Sequence, residues 1–366
     1  MKLKTWLKKG KFVALILVIA VVFAACGSGS SDKGDKNTAE SKVPVEKSED
    51  GGEQKDDTTG GELKTIKIGT PGQGGILSEN AQLAYKLGYL DEELEKAGYK
   101  AEYVGFPQAG PAINEAFAAK EIDYAFYNEL PAMVAKSNGV DVKLIAAITQ
   151  QFNYALFVTE KSGIKSVKDL EGKKAIAVQG TILYKYFADL SKQNNVDLTK
   201  VETLNALADA NALLASGDAD AYSCAHSSAL LLEKQGLGTI LTDTTKDVAE
   251  STGIALAARD EFLKQEPESA KAIIRALKRA SEYASQNPDE VYKLLAAESL
   301  TEDLLKQVYA FDTTFSFFNP EISDTYKKNI QGQYEFAKEN QLLASDLNVD
   351  ELIDTSYVEE VLAEKE

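Results

Sequence analysis

In EAFAAKEIDYAFYNELPAMVAK, residues 115–136, the hydrophobic period changes twice. Gly110-Pro111 opens a helix with Pro at its start, where a missing N–H costs nothing, and Ile113, Ala116 and Phe117 share its inner face. After a turn, Ile122-Asp123-Tyr124-Ala125-Phe126 reads as a short strand, and Asn128-Glu129-Leu130-Pro131 starts a second helix. Helices alternating with strands build a sheet covered on both faces. The pattern returns at an offset of 97 residues in ALLASGDADAYSCAHSSALLLEK, residues 212–234. There Leu214 stands for Phe117, Ala219 for Ile122, Asp220 for Asp123 and His226 for Glu129. Residue by residue the match is weak, because Ala-rich helices resemble one another. What repeats is the order helix, turn with Asp, strand, helix start. Either each of two lobes holds one copy, or the echo is coincidence.

Upstream, Ile66-Lys67-Ile68-Gly69 is a strand that ends in the turn-rich loop Thr70-Pro71-Gly72-Gln73-Gly74-Gly75. A helical pattern through Leu83, Leu87 and Leu90 follows and closes near Gly98, and Ala101 to Phe106 forms the next strand. From about Thr65 onward the chain has about 300 residues, long for one core and suited to two lobes.

The N-terminus bears on the compartment. Lys2, Lys4, Lys8, Lys9 and Lys11 precede an apolar run from Phe12 to Phe23, then Ala24-Ala25-Cys26-Gly27. A basic region, a short apolar core and small residues make a secretory leader, here residues 1–25. Residues 26–62 begin with Cys26 and continue as a polar stretch whose apolar side chains are almost limited to Val43 and Val45. Such a stretch buries too little surface to offset its ordering entropy and reads as a tether.

The net charge of -17 and only three Arg, at 259, 275 and 279, leave no basic stripe for nucleic acid. Acidity suits a soluble exported protein. With Cys26 set apart, one Cys (Cys224) and one His (His226) allow neither an intramolecular disulfide nor the usual Cys/His zinc site, so no metal and no cofactor is expected.

The leader motif Phe23-Ala24-Ala25-Cys26 resembles the bacterial lipoprotein box, which implies a lipid on Cys26. Further motifs are Gly110-Pro111 with Glu115-Ala116-Phe117, Ile122-Asp123, Pro131-Ala132, residues 163–174 (GIKSVKDLEGKK), Gln179-Gly180-Thr181, residues 217–221 (GDADA) and Asn287-Pro288-Asp289-Glu290. In this order and spacing the chain resembles substrate-binding proteins of ABC importers, of the aliphatic-sulfonate, taurine and nitrate group. It is also similar to binding proteins for thiamine precursors. The resemblance implies an α/β, type II periplasmic-binding fold: two lobes joined by a two-strand hinge, with ligand in the interlobe cleft. Residues 63–153 and 258–366 would form lobe 1, and residues 154–257 lobe 2 including the hinge strands Tyr154–Val158 and Gly253–Ala257. The tail from Glu261, with helical patterns through Ile273-Ile274 and Leu294-Leu295, would pack on lobe 1. Implied too are a receptor rather than an enzyme, a small-molecule ligand, an ABC permease with its ATPase, a membrane anchor through Cys26 and a monomer. The ligand would be a sulfonate such as taurine or an alkanesulfonate. Nitrate, a pyrimidine precursor, or ligand sensing without transport are the alternatives.

Ligands of open α/β sheets sit at the carboxyl ends of strands, where helix N-termini offer unpaired N–H groups. Four such junctions are legible: Gly75 to Ser78, Gly110-Pro111, Glu129 to Pro131 and Gly180-Thr181. The candidate ligand contacts are Gly72, Gln73, Gly74, Gly75, Gly110, Tyr127, Asn128, Glu129, Phe152, Gln179, Gly180, Thr181 and His226. Each has a second reading. The glycines serve a loop that needs positive φ, Thr181 and Glu129 are helix caps, the aromatics are core, and His226 is structural. As a ligand contact, Glu129 would read a cationic or donor group, so that a zwitterion fits.

Overall fold

The computed structural model describes residues 62–245 and 252–365. The leader, Cys26 and nearly all of the tether lie outside the described residues. The first part runs β1 (Lys64–Pro71), α1 (Glu79–Lys86), α2 (Tyr89–Lys96), β2 (Tyr99–Phe106), α3 (Gly110–Ala118), β3 (Tyr124–Tyr127), α4 (Glu129–Ser137) and β4 (Val142–Phe152). The single helix expected from Leu83 to Leu90 is two, because Gly88, at φ 78°, breaks the register between α1 and α2.

A second part follows after one residue, Asn153: β5 (Tyr154–Thr159), β6 (Lys174–Ile176), α5 (Ile182–Gln193), β7 (Glu202–Leu204), α6 (Ala210–Ser216), β8 (Ala221–Ala225), α7 (His226–Lys234) and β9 (Gly238–Asp243). The chain then returns through β10 (Thr252–Arg259), α8 (Asp260–Gln265), α9 (Pro267–Gln286), α10 (Pro288–Leu295), α11 (Glu302–Val308), α12 (Asp324–Glu339), α13 (Val349–Leu352) and α14 (Ser356–Ala363).

Among the described residues there are two five-stranded sheets, ordered β2-β1-β3-β10-β4 and β7-β6-β8-β5-β9. They are built alike. β1 pairs in parallel with β2 and β3, as β6 does with β7 and β8, and the fourth strand is antiparallel to its neighbours in both. The offset of 97 holds at the level of elements: β3 and β8 start at Tyr124 and Ala221, and α4 and α7 span Glu129–Ser137 and His226–Lys234.

One expected placement is corrected. Gly253–Ala257, expected in lobe 2 with residues 154–257, lies in β10, which belongs to the first sheet, between β3 and β4. Its alternation explains why: Ile254, Leu256 and Ala258 face one core of that sheet, and Ala255 and Ala257 face the other. Each sheet is thus buried on both sides. For the second sheet, Tyr154, Leu156 and Val158 face one core and Ala155 and Phe157 the other.

Helices of the two parts meet beside the space between the sheets. Leu130 and Ala188 share a small apolar cluster with Phe336 and Ala337, and Lys192 pairs with Glu339 at 2.7 Å. No helix among the described residues is long and apolar enough to cross a membrane.

Candidate ligand-binding cavity

The loop after β1 has to pass close to β2. A Cβ on Gly75 would lie 2.5 Å from the Tyr103 carbonyl oxygen, and one on Gly105 2.6 Å from the amide nitrogens of Gly74 and Gly75. Glycine is therefore required at positions 75 and 105 for the loop to lie on the strand, while Gly74, at φ 75°, serves the turn. The loop delivers Gly72, Gln73, Ser78 and Glu79 to the wall of a cavity of about 570 Å³ between the two sheets. A similar demand brings α3 and α4 together. A Cβ on Gly110 would sit 2.5 Å from the Pro131 Cβ, so the two helices converge only because position 110 is bare.

The wall collects helix starts from both parts. Ser78 and Glu79 open α1, Ala109 and Gly110 open α3, and Asn128 and Pro131 belong to the start of α4. From the other side come Thr181, Ile182 and Leu183 of α5 and Ala225, Ser227 and Ser228 of α7. Helix starts carry unpaired N–H groups and partial positive charge. Among the described residues, no Lys, Arg or His belongs to this wall. A hydrophobic side is made by Leu295, Leu300, Leu305 and Val308, with Phe126, Phe152 and Tyr222 as aromatic neighbours. The arrangement suits a small solute with an anionic end and an apolar remainder.

Of the sequence-predicted residues, Gly72, Gln73, Gly110, Tyr127, Asn128, Phe152 and Thr181 line the cavity. Asn128 also ties the start of α4 to β5 and β10, since its amide donates to the Gly253 carbonyl at 2.7 Å and to the Tyr154 hydroxyl at 3.2 Å. Thr181 caps no amide; its hydroxyl donates to the Val178 carbonyl at 2.6 Å, leaving the start of α5 to act through backbone N–H groups.

Gly74, Gly75, Glu129, Gln179, Gly180 and His226 are not among the residues of that wall. The Gln179 amide donates to Asn205 Oδ1 at 2.9 Å, and Gly180, at φ 75°, turns the chain beside Pro111. Glu129 is the largest departure from expectation. It is fully buried, accepts from the Tyr326 hydroxyl and, at 3.0 Å, from Gln333 Nε2, both on α12. Burial pushes its carboxyl up to about 7 against the lowering effect of these donors. The carboxyl is a structural anchor for α12.

His226 borders a smaller void with Glu79, Asn153 and Tyr309. Burial lowers its pKa despite the nearby Asp243 and Glu233, and its Nδ1 has no hydrogen-bond partner. Glu79 was missed by the sequence, as were Ser227, Ser228 and the leucine wall. The two serines were indicated by the echo, which puts the start of α7 where α4 starts. The leucines carried no local signal, because a core leucine and a cavity leucine look the same in one dimension.

Known proteins share both the sequence pattern and this architecture. The profile of the NMT1/THI5-like family matches residues 84–291. A protein of Bacillus subtilis (strain 168) that bears the name aliphatic sulfonates-binding protein is 23% identical over 369 residues, which is 98% of each chain. An enzyme of Legionella pneumophila named 4-amino-5-hydroxymethyl-2-methylpyrimidine phosphate synthase is 22% identical over 254 residues, 65% of this chain and 74% of that one. Among solved structures, the alkanesulfonate-binding protein of Xanthomonas axonopodis pv. citri bound to MOPS has a TM-score of 0.66 at 18% identity, over 81% of this chain and 100% of that one. At that identity the likeness shows the fold, the two-lobed α/β periplasmic-binding architecture. As the family profile spans more than half of the chain, the protein belongs to the NMT1/THI5-like family.

Proposed function

We propose that this protein is the extracytoplasmic solute receptor of an ABC importer and that it captures a small anion, a sulfonate first of all, in the cavity between the sheets. The observation that carries the reading is the convergence of the starts of α1, α3, α4, α5 and α7 on a wall that has no basic side chain among the described residues. Anion binding then falls to backbone N–H groups and helix dipoles. The names of the sulfonate-binding relatives support the same class of solute. Residues 63–153 and 258–366 act as one lobe and residues 154–257 as the other, β10 excepted, and they close about Asn153 and the strand pair β5 and β10. Cys26, lipidated after removal of residues 1–25, holds the monomer to the membrane, and residues 26–62 let it reach a permease. Binding rather than catalysis is favoured because burial pushes the Cys224 thiol up, away from the reactive thiolate, and His226 lies off the cavity wall.

Thermal unfolding of the purified protein with alkanesulfonates, aminosulfonates, MOPS, nitrate and a hydroxymethylpyrimidine tests the reading, with native mass spectrometry to identify carried solute. A sulfonate is expected to raise the midpoint most. A shift with nitrate or the pyrimidine alone would assign the cavity to that solute, and no shift with any anion would overturn anion capture.

A further inference from the structure

One residue of the cavity wall opposes the potential that the helix starts create. Glu79, at the beginning of α1, is 8% exposed, and its backbone is held at φ 53°, a region that non-glycine residues seldom adopt. Strain of this kind persists only where the surroundings over-determine it, and it clusters at ligand sites. The Tyr309 hydroxyl bonds to the carboxyl, but Glu79 Oε2 is buried without a hydrogen-bond partner. Asn153 and His226 border the same small void, yet Asn153 Nδ2 and His226 Nδ1 are unpartnered as well, so neither supplies the missing donor. A buried carboxylate with no counter-charge and with one oxygen left without a donor is unfavourable, and among the described residues the cavity wall holds no cation to correct it.

We propose that the solute itself supplies the correction: beside its anionic end, it carries a cationic or N–H-donating nitrogen that bonds to Glu79, so that an aminosulfonate or comparable zwitterion is preferred to a plain alkanesulfonate. The inference rests on the anion-capture reading above, which places the negative end at the helix starts. Burial holds the Glu79 carboxyl at about 7, so an adjacent ammonium would ionise it at neutral pH.

Titration calorimetry with 3-aminopropanesulfonate, propanesulfonate and 4-amino-5-hydroxymethyl-2-methylpyrimidine, on wild type, Glu79→Gln and Glu79→Ala, tests this. Wild type is expected to prefer the aminosulfonate at least tenfold. Glu79→Gln should weaken the aminosulfonate at least tenfold and tighten propanesulfonate, inverting the order. If wild type binds the two sulfonates within twofold, Glu79 is not a reader of nitrogen, whatever the variants do, and anion capture stands. Survival of the preference in either variant would likewise remove the role of Glu79 and leave anion capture standing. If only the pyrimidine binds, sulfonate capture falls, and the variants still decide: undiminished pyrimidine affinity overturns the role of Glu79, and its loss supports it. If nothing binds, both readings fall.

Discussion

Asp123 and Asp220 make the same pair of bonds in the two sheets. Each Asp carboxylate accepts a backbone N–H at 2.9 Å from the strand beside it, Lys67 for Asp123 and Lys174 for Asp220. Each Asp N–H in turn donates to the carbonyl of that same Lys, at 2.9 and 2.8 Å. The Asp locks the entry of β3 onto β1 and of β8 onto β6, which fixes where the helix starts at the other end of the strand. The copies differ in one respect. Asp123 also receives the Arg259 guanidinium at 2.7 Å, with both side chains mostly buried.

From this difference, Asp220→Ala is expected to lower stability by about 1–2 kcal/mol, the loss of one hydrogen-bonded staple. Asp123→Ala should lower it by about 3 kcal/mol, because the mostly buried Arg259 loses its 2.7 Å partner and keeps only the Ile122 carbonyl and the looser Glu261 at 3.8 Å. Urea unfolding of both variants checks the order. Equal losses would mean that the Arg259 pair adds nothing.

Glu129 makes stability depend on pH. Its folded carboxyl titrates at about 7, above the ordinary 4.5, so between these values the folded state binds more protons than the unfolded one. Stability from this group is present in full below pH 4.5 and is lost as pH rises through 7. Relative to Glu129→Gln, wild type should therefore lose about 2 kcal/mol between about pH 5.5 and pH 8. Denaturant midpoints of the two proteins at both pH values measure it, and a constant difference would show that Glu129 is ionised throughout.

Ala109, just before α3, sits at φ 54° and ψ -132°, where a Cβ is disfavoured. Ala109→Gly should raise stability by about 1 kcal/mol, the release of strain exceeding the entropy that glycine adds to the unfolded chain. A lowered urea midpoint would contradict this.

Thr181→Val removes the hydroxyl that donates to the Val178 carbonyl. The expected cost is about 1 kcal/mol of stability, while affinity for an alkanesulfonate changes less than threefold, since in the proposed reading the backbone N–H groups of α5, not this hydroxyl, meet the anion. A tenfold loss in calorimetry would show that the hydroxyl swings to the ligand.

What the sequence determined by itself was local in origin. The period changes around Phe117 and Phe126, the Pro at the start of α3 and the Asp before each inner strand are set by neighbours in the chain. They sufficed for most element types and the helix starts that reach the cavity, and raised the duplicated unit as one of two readings. Tertiary structure decided the rest. Glu129 lost its expected role to partners 197 and 204 residues away, Tyr326 and Gln333 on α12, which no pattern around Glu129 announces. Glu79 acquired its place because the loop after β1 folds over Gly105 and because Tyr309, far along the chain, closes over it. The side to which β10 belongs was decided the same way, by two cores that its alternate residues fill at once. A carboxylate on a helix start reads identically whether it faces a cavity or a tyrosine; only the packing of distant segments sets its burial, and burial sets its chemistry.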